Sequence, residues 1–211
     1  MRYYISDNHF FHERAIRMDG RPFSSLEEMN EYMLQQWNKR VRRNDEVVIL
    51  GDLSFGNVEQ TNALLKQLKG RLYLLKGNHD KWANHKDADL SRFKWIGDYK
   101  DMSDNGRKVV LCHYPILLYN GQYRVKEDGT PKVYMLHGHV HNTMDQMLVD
   151  RYQDEARQMK RKYRGVDQPM PIPSNVINCF AGLSDYTPLT LDEWIQRDKY
   201  RREHIPYHGR Q

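Results

Sequence analysis

The sequence predicts an α/β fold built on a mainly parallel central sheet. Six apolar runs of strand length occur, at residues 3–6, 46–50, 72–75, 108–112, 133–136 and 176–180. Most of them are unbroken rather than alternating, which is typical of strands covered on both faces. Helical patterns separate the first three runs, and strands joined through helices are parallel. The chain is therefore expected to begin as βαβαβ.

Helical periodicity is clear in three segments. Residues 25–41 and residues 58–68 each carry an apolar stripe at helical spacing. Thr190 and Glu193 form a capping box that opens a third helix, which runs through about residue 202. We expect this last helix to pack on the sheet.

Residues 142–174 differ from the short connections found elsewhere. A charged helical pattern is followed by Pro169, Pro171 and Pro173, where a connection of about 2 to 6 residues is usual. The segment is interpreted as a helical excursion with a stiff return, serving as a lid, a dimerisation arm or a surface appendage. The 211 residues otherwise fit a single domain, 1–211, with this excursion inserted.

Composition indicates a soluble protein with one sizeable core. Hydrophobic residues make up 39% of the chain, yet no stretch approaches the roughly 20 apolar residues of a membrane span. The first residues are too few and too polar for a signal peptide. Cys112 and Cys179 lie inside apolar runs, which predicts buried thiols rather than disulfides. We therefore expect a cytoplasmic protein with no membrane partner.

The formal net charge of +5 raises the question of nucleic-acid binding, because clustered Lys and Arg neutralise backbone phosphates. Much of the excess lies in residues 151–164 and 197–210. A basic helix of that kind is more often a solvated face than a nucleic-acid groove. Nucleic acid is thus a possible but not a favoured partner, and the charge would also attract a small anionic substrate.

Five short polar clusters each follow an apolar run. They are Asp7-Asn8-His9, Gly51-Asp52, Gly77-Asn78-His79-Asp80, His113 and Gly138-His139-Val140-His141. Ligands of open α/β sheets lie beyond the carboxyl ends of the strands, so these clusters should converge on one edge. Carboxylate and amide oxygens mixed with imidazole nitrogens suit divalent transition metals, and two such ions clamp a phosphoryl group during in-line attack. The clusters predict a hydrolase.

Each cluster taken alone has a structural explanation. Asp7 to His9 would cap a helix, and the two Gly-containing clusters that follow would form turns. His113 alone would more often be structural than a ligand. The occurrence of all five in order, each after a strand, favours a site. His12 and His137 flank the clusters, either supporting them or merely packing.

The order of the clusters resembles that of the calcineurin-like metallophosphoesterases, and the resemblance covers nearly the whole chain. The shared pattern is Asp-x-His, Gly-Asp, Gly-Asn-His-Asp/Glu, a lone His and Gly-His-x-His. Arg21-Pro22-Phe23 and Pro188-Leu189-Thr190-Leu191-Asp192-Glu193 resemble in particular a subgroup of small bacterial and phage phosphoesterases. The resemblance implies a four-layer α/β/β/α sandwich of two mixed sheets with helices outside.

The resemblance also implies two metal sites that share one carboxylate. One ion is assigned to Asp7, His9 and His141, the other to Asn78, His113 and His139, with Asp52 bridging both. The implied reaction is hydrolysis of a phosphoester by attack of a hydroxide that bridges two divalent ions. Mn²⁺ is the first expectation for the ions, with Fe, Zn²⁺ or Ni²⁺ as alternatives.

By the same resemblance, His79 binds the substrate phosphate or protonates the leaving oxygen. Many family members carry a second Asp three residues after that of Gly-Asp, where it orients this histidine, but Phe55 occupies that position here. His79 therefore needs another partner. Asp80 is adjacent and is included with His79 as a catalytic candidate, and Asp7 or His113 are the alternatives.

A small phosphodiester or nucleotide-like phosphoester is the favoured substrate. A phosphomonoesterase or nuclease of the same fold and a non-catalytic metal-binding scaffold are the alternatives. The complete ligand set and the presence of His79 favour an enzyme over a scaffold. Specificity is expected to come from residues 114–131 and 142–174, where Tyr114, Tyr119 and Tyr123 either stack on a substrate or pack within the protein.

Overall fold

The protein contains two four-stranded sheets with helices packed against them. The structure, a computed structural model, describes residues 1–163 and 167–208. Arg164 and Arg210, which belong to the two basic segments of the sequence, lie outside the described residues. The 142–174 segment and the 1–211 domain span are thus described except for residues 164–166 and 209–211.

The first sheet is parallel throughout. Its strands, in spatial order, are β1 (Arg2–Ile5), β2 (Glu46–Ile49), β3 (Arg71–Leu75) and β4 (Phe93–Gly97). Three helices lie between or beside these strands in sequence: α1 (Glu13–Met18), α2 (Leu26–Arg40) and α3 (Val58–Gln67). The predicted βαβαβ start is confirmed, since α2 joins β1 to β2 and α3 joins β2 to β3.

The second sheet is mixed. Its strands are β5 (Tyr99–Asp104), β6 (Arg107–Cys112), β7 (Val133–His137) and β10 (Val176–Asn178), in the spatial order β10-β7-β6-β5. Only β5 runs antiparallel, because a tight turn at Asn105 and Gly106 reverses the chain before β6. Both turn residues have positive φ, 47° and 75°, as a two-residue hairpin requires. The expectation of two mixed sheets holds for this sheet only.

Two further strands and two further α-helices are α4 (Met144–Gln158), β8 (Lys160–Arg161), β9 (Met170–Pro171) and α5 (Leu191–His204). Three short 3-10 helices are also present, at Asp80–Asn84, Leu90–Arg92 and Ala181–Ser184. The predicted helices at 25–41, 58–68 and 190–202 are confirmed within two residues, and all six predicted strands are present. The short ribbon of β8 and β9, and strands β4 and β5, were not predicted.

Three clusters of buried side chains lie on the faces of the two sheets. The first joins β1–β3 to α2 and α3 around Trp37, which is fully buried. The second joins the opposite faces of β1–β3 to β6, β7 and β10, and includes Trp194 of α5. The third joins the outer face of the second sheet to α4 through Val149. Alternate residues of one strand thus enter different clusters, as the strand pleat dictates.

Helix α4 covers the second sheet rather than projecting from it. Gln153 accepts a hydrogen bond from the Val176 amide at 2.8 Å and donates one to the Val176 carbonyl at 3.0 Å. Gln146 accepts a bond from the Asn178 amide nitrogen at 2.9 Å. Helix α4 thus lies within the segment predicted as a helical excursion, and deleting it would expose one face of the sheet.

Two predictions from composition concern thiols and membranes. Cys112 and Cys179 are both free thiols, the first half-buried and the second fully buried. Within the described part of the chain, no helix combines the length and the apolar character needed to cross a bilayer.

A buried ion-pair network joins α4 to α5. Arg201 is 1% exposed, and its two terminal nitrogens donate to the Asp150 carboxylate at 2.7 and 2.9 Å. Burial would raise the pKa of Asp150, but the hydrogen bonds and charge of Arg201 lower it to about 2 from 3.8. Because the folded pKa is depressed, this carboxylate contributes stability above pH 3.8 that is lost as the pH falls through about 2.

We expect Arg201→Met to lower the free energy of unfolding by about 3 kcal/mol, because it leaves a buried carboxylate without its bidentate partner. Lys199→Met in the same helix is the matched control, since Lys199 is exposed and should change stability by less than about 0.5 kcal/mol. Urea denaturation at neutral pH measures both. Equal midpoints for the two variants would show that the network contributes no net stability.

Candidate metal centre

The five polar clusters converge at the carboxyl ends of the strands. Each follows β1, β2, β3, β6 or β7, as the sequence predicts. Five of the residues involved adopt left-handed backbone conformations, with φ between 47° and 70°: Asp7, His9, Asp52, His139 and His141. Such conformations cost about 1 kcal/mol or more for residues other than glycine. Strain of this kind at one sheet edge is a mark of a functional site.

The glycines of the clusters provide room for the ligand side chains. A Cβ added to Gly77 would lie 2.1 Å from Oδ1 of Asp52, and one added to Gly138 would lie 2.3 Å from Oδ2 of Asp7. A Cβ on Gly51 would lie 2.3 Å from Nδ1 of His113. The close approach of backbone to ligand explains why these positions need glycine.

The first predicted set, Asp7, His9 and His141, forms one buried group. Their potential ligand atoms all lie within 4.8 Å of one another. Nε2 of His141 is 3.6 Å from Oδ1 of Asp7, and the rings of His9 and His141 are 4.9 Å apart between centroids.

The second predicted set meets at the Asn78 amide oxygen. Nε2 of His113 lies 3.0 Å from this oxygen, and Nδ1 of His139 lies 2.9 Å from it. Nδ1 of His113 faces the Leu50 carbonyl at 2.8 Å, so Nδ1 is the donor in the neutral imidazole and the Nε2 lone pair faces Asn78. Two acceptors thus face each other at contact distance.

Asp52 lies between the two sets. Its Oδ2 is 3.6 Å from Nε2 of His9 and also 3.6 Å from Nε2 of His113, while its Oδ1 accepts the His79 backbone N–H at 2.9 Å. Asp7 is also close to the second set, since its carboxylate lies within 4.8 Å of Asp52 and His113. Two carboxylates therefore occupy the middle of the cluster.

These distances and donor types fit metal ligation. Two ligands that each lie about 2.1 Å from one ion, at angles of about 90° to 109°, are about 3.0 to 3.4 Å apart, close to the separations found here. Nε2 of His9 is buried and has no hydrogen-bond partner among the described residues. A cation facing this nitrogen and the two carboxylates would satisfy groups that are otherwise costly to bury.

Electrostatics favour positive charge at the first set. Burial would raise the pKa of Asp7, but its hydrogen bond with His141 and the neighbouring histidines hold that pKa well below the usual range. Burial would lower the pKa of His141, but Asp19 and Asp7 raise it to about 9. Burial also lowers the pKa of His9, which keeps its nitrogen available as a ligand.

Two supporting residues were missed by the sequence reasoning, Asp19 and Arg21. Oδ1 of Asp19 lies 2.7 Å from Nδ1 of His141, which fixes the ring so that Nε2 faces Asp7. Arg21 is buried, pairs with Asp19 at 3.0 Å, and donates to the Asn8 and Asp7 carbonyls. Arg21 lies in the segment that carried the resemblance, but its role depends on contacts that spacing does not reveal.

Asp80 is placed beneath the loops rather than at the reacting face. It is 2% exposed and accepts hydrogen bonds from the backbone N–H groups of Asp52, Leu53 and Gly77, at 2.8 to 3.0 Å, and from the Trp82 indole at 3.0 Å. Burial raises the pKa of Asp80. Its contacts tie the loop after β2 to the loop after β3, a positioning role for both.

His79 is exposed, and its ring packs on Phe55. The centroids of His79 and Phe55 are 4.5 Å apart, and His12 stacks on Phe55 at 3.8 Å with an 8° interplanar angle. His12 also faces His9, with 2.9 Å between their Nδ1 atoms. The residue that replaces the usual Asp therefore contacts His79 through its ring, and His12 is a supporting residue.

His137, Tyr119 and Tyr114 lie in three different environments. His137 is fully buried, its Nδ1 lies 2.8 Å from the Gly138 carbonyl, and burial lowers its pKa to about 4. Tyr119 packs in the core and accepts the Asn175 N–H. Tyr114 is 46% exposed with its ring 4.6 Å from that of His139, so it alone of the three tyrosines borders the cluster.

Known proteins resemble this chain over most of its length. The profile of the calcineurin-like phosphoesterase family matches residues 3–207. An uncharacterized protein of Methanocaldococcus jannaschii is 37% identical over 147 residues, covering 68% of this chain and 72% of that protein. The gene 66 protein of Mycobacterium phage D29 is 30% identical over 164 residues, covering 66% of this chain and 78% of that protein.

A solved structure shares the fold. The crystal structure of a protein of unknown function from Aquifex aeolicus superposes with a TM-score of 0.61 at 24% identity, covering 93% of this chain and 98% of that chain. Together with the family match, this confirms the resemblance seen in the sequence and the expected fold class. The chain belongs to the calcineurin-like phosphoesterase family.

Proposed function

We propose that this protein is a dinuclear metal-dependent phosphoesterase. The observation that carries the proposal is the position of Asp52, whose Oδ2 lies 3.6 Å from a histidine of each predicted set. A carboxylate placed equally between two groups of ligands is suited to bridge two ions. Asp7, His9 and His141 would hold the first ion, and Asn78, His113 and His139 would hold the second.

The two divalent ions, when bound, supply Lewis acidity toward the phosphoryl oxygens and activate water as the nucleophile. Protein side chains set where this happens. Asp52 and Asp7 bring the two ligand groups together, and the neutral amide oxygen of Asn78 limits the negative charge that would repel a phosphoester. Mn²⁺ is the proposed ion, because both sets combine hard oxygen ligands with imidazole nitrogens.

His79 is the proposed group that contacts the substrate phosphate or protonates the leaving oxygen. Its side chain is exposed, while its backbone N–H donates to Asp52 at 2.9 Å and its ring rests on Phe55. These contacts hold the imidazole beside the proposed bridging carboxylate. Among the described contacts, no hydrogen bond joins the imidazole to Asp80. We assign Asp80 a positioning role for the two loops.

A small phosphodiester or nucleotide-like molecule is the proposed substrate. Tyr114 offers a partly exposed ring next to His139 and 5.1 Å from His113 between centroids, where a planar group attached to phosphorus would stack. A monoesterase or a nuclease would use the same ligands, so a diester and a monoester must be compared directly.

Purified protein with added Mn²⁺ is expected to hydrolyse bis-p-nitrophenyl phosphate faster than p-nitrophenyl phosphate.

Asp52→Asn should lose metal and turnover together. His79→Asn should keep its metal and lose about 10²- to 10⁴-fold in kcat, most severely with alkyl leaving groups, which need a proton. Metal content by mass spectrometry and rates with a series of leaving groups measure these effects.

Three results would count against these assignments. Wild-type protein without metal and without turnover would end the enzyme proposal. Loss of metal in His79→Asn would show that His79 is a ligand instead. A faster rate with the monoester would replace the diester proposal by a phosphatase.

Phe55→Leu should lower kcat with poor leaving groups by about 2- to 12-fold, because an aromatic pair contributes about 0.5 to 1.5 kcal/mol. Metal content and rates with good leaving groups should change little. Phe55→Tyr keeps the ring and should restore the rate. Steady-state kinetics across leaving groups separates this positioning effect from general destabilisation.

The matched control is Phe23→Leu. Phe23 is similarly half-buried and packs on Tyr32 and Tyr186 at centroid distances of 5.4 and 5.3 Å, away from His79. An equal dependence on leaving group in both variants would remove Phe55 from the account of His79.

A further inference from the structure

A strongly basic cavity lies at the end of the first sheet opposite the metal ligands. It has a volume of about 940 Å³ and is lined by eight Lys and Arg side chains, with no Asp or Glu among the described lining residues. Three segments line the cavity: residues 38–44 at the end of α2 and beyond it, residues 66–71 between the end of α3 and the start of β3, and residues 91–94 around the start of β4. Segments far apart in sequence thus place cations around one open space.

Part of this charge has a structural explanation. Arg92 donates to the carbonyls of Leu65 and Leu68 at 3.0 and 2.7 Å, which caps the end of α3. Nζ of Lys69 donates to the Asn38 carbonyl at 3.0 Å. Lys39 and Lys66 lie in the last turns of α2 and α3, where cations offset the helix dipole.

Four cations remain without such a function: Arg42, Arg43, Arg71 and Lys94. All four side chains are exposed. None of them takes part in any ion pair between described residues, although many other Lys and Arg residues do. Asp45 lies near Arg42, and Asp89 lies near Lys66 and Arg92. The eight lining cations still outnumber these two carboxylates and repel one another, so the arrangement gains free energy when an anion enters.

We propose that this cavity binds the phosphate backbone of a double-stranded nucleic acid. Asn44 also lines it and supplies an amide donor of the kind that contacts phosphate and sugar. No aromatic side chain lines it among the described residues, and single strands are usually held by stacking of bases on aromatic rings. Backbone contact with a duplex, independent of sequence, fits this lining.

The cavity is separate from the metal centre. Strand β3 runs from Arg71 at the cavity toward Asn78 at the metal ligands, and its 5 residues span roughly 16 Å at about 3.3 Å each. A nucleic acid held here would anchor the protein without occupying the ligands. The proposal therefore does not depend on hydrolysis, and binding is measured apart from turnover.

The test compares two charge-reversed variants in binding a fluorescein-labelled DNA duplex by anisotropy over a range of salt concentrations. Arg42→Glu/Arg43→Glu/Lys94→Glu should weaken binding at least about tenfold and reduce the salt slope by roughly 2.7, about 0.9 for each lost phosphate contact. The matched control, Arg151→Glu/Lys160→Glu/Lys162→Glu, makes the same charge change at exposed residues of the basic segment 151–164. It should bind almost as wild type does.

Several controls keep the test decisive. Circular dichroism and unchanged thermal unfolding show that both variants are folded, and the corresponding triple Gln variant should give an intermediate loss. A gel confirms that the duplex stays intact. Equal losses in both Glu variants would overturn the proposal in favour of diffuse net charge. Failure of the wild-type protein to bind the duplex would also overturn it. So would binding to phosphatidylserine vesicles that is tighter than binding to the duplex and is lost in the cavity variant.

Discussion

The structure depends on one geometric constraint, the convergence of five strand ends on a space a few ångströms wide. Parallel strands bring Asp7, Asp52 and Asn78 to one edge, and the neighbouring sheet adds the histidines after β6 and β7. Five residues of these loops have left-handed backbone conformations, and the glycines leave room for the neighbouring side chains. Backbone strain is thus concentrated where the ligands meet.

Support around this centre comes from buried polar contacts. Asp80 joins two of the loops through three backbone N–H groups, and Arg21 holds the loop after β1 through two carbonyls. Asp19 fixes the His141 ring. These three residues support the proposed ligands without belonging to them, so the loops keep an arrangement that metal binding would require.

The sequence predicted the parts of the structure that local chemistry determines. Unbroken apolar runs identified the central strands, and the Thr190 capping box marked the start of α5, which the structure reproduces. Strand β5 was missed because it is a mostly polar edge strand without an apolar run, although the Asn105-Gly106 turn is a recognisable hairpin signal. Contacts such as Phe55 with His79, and cations gathered from three separate segments, depend on the folded chain and have no pattern in the sequence.

The central claim is that Asp52 joins two ions in one centre. Electron paramagnetic resonance of metal-free protein titrated with Mn²⁺ tests it most directly, because ions about 3.5 to 4 Å apart share ligands and couple magnetically. The account predicts saturation at two ions per chain with an exchange-coupled signal. Saturation at one ion, or two ions with uncoupled signals, would contradict it.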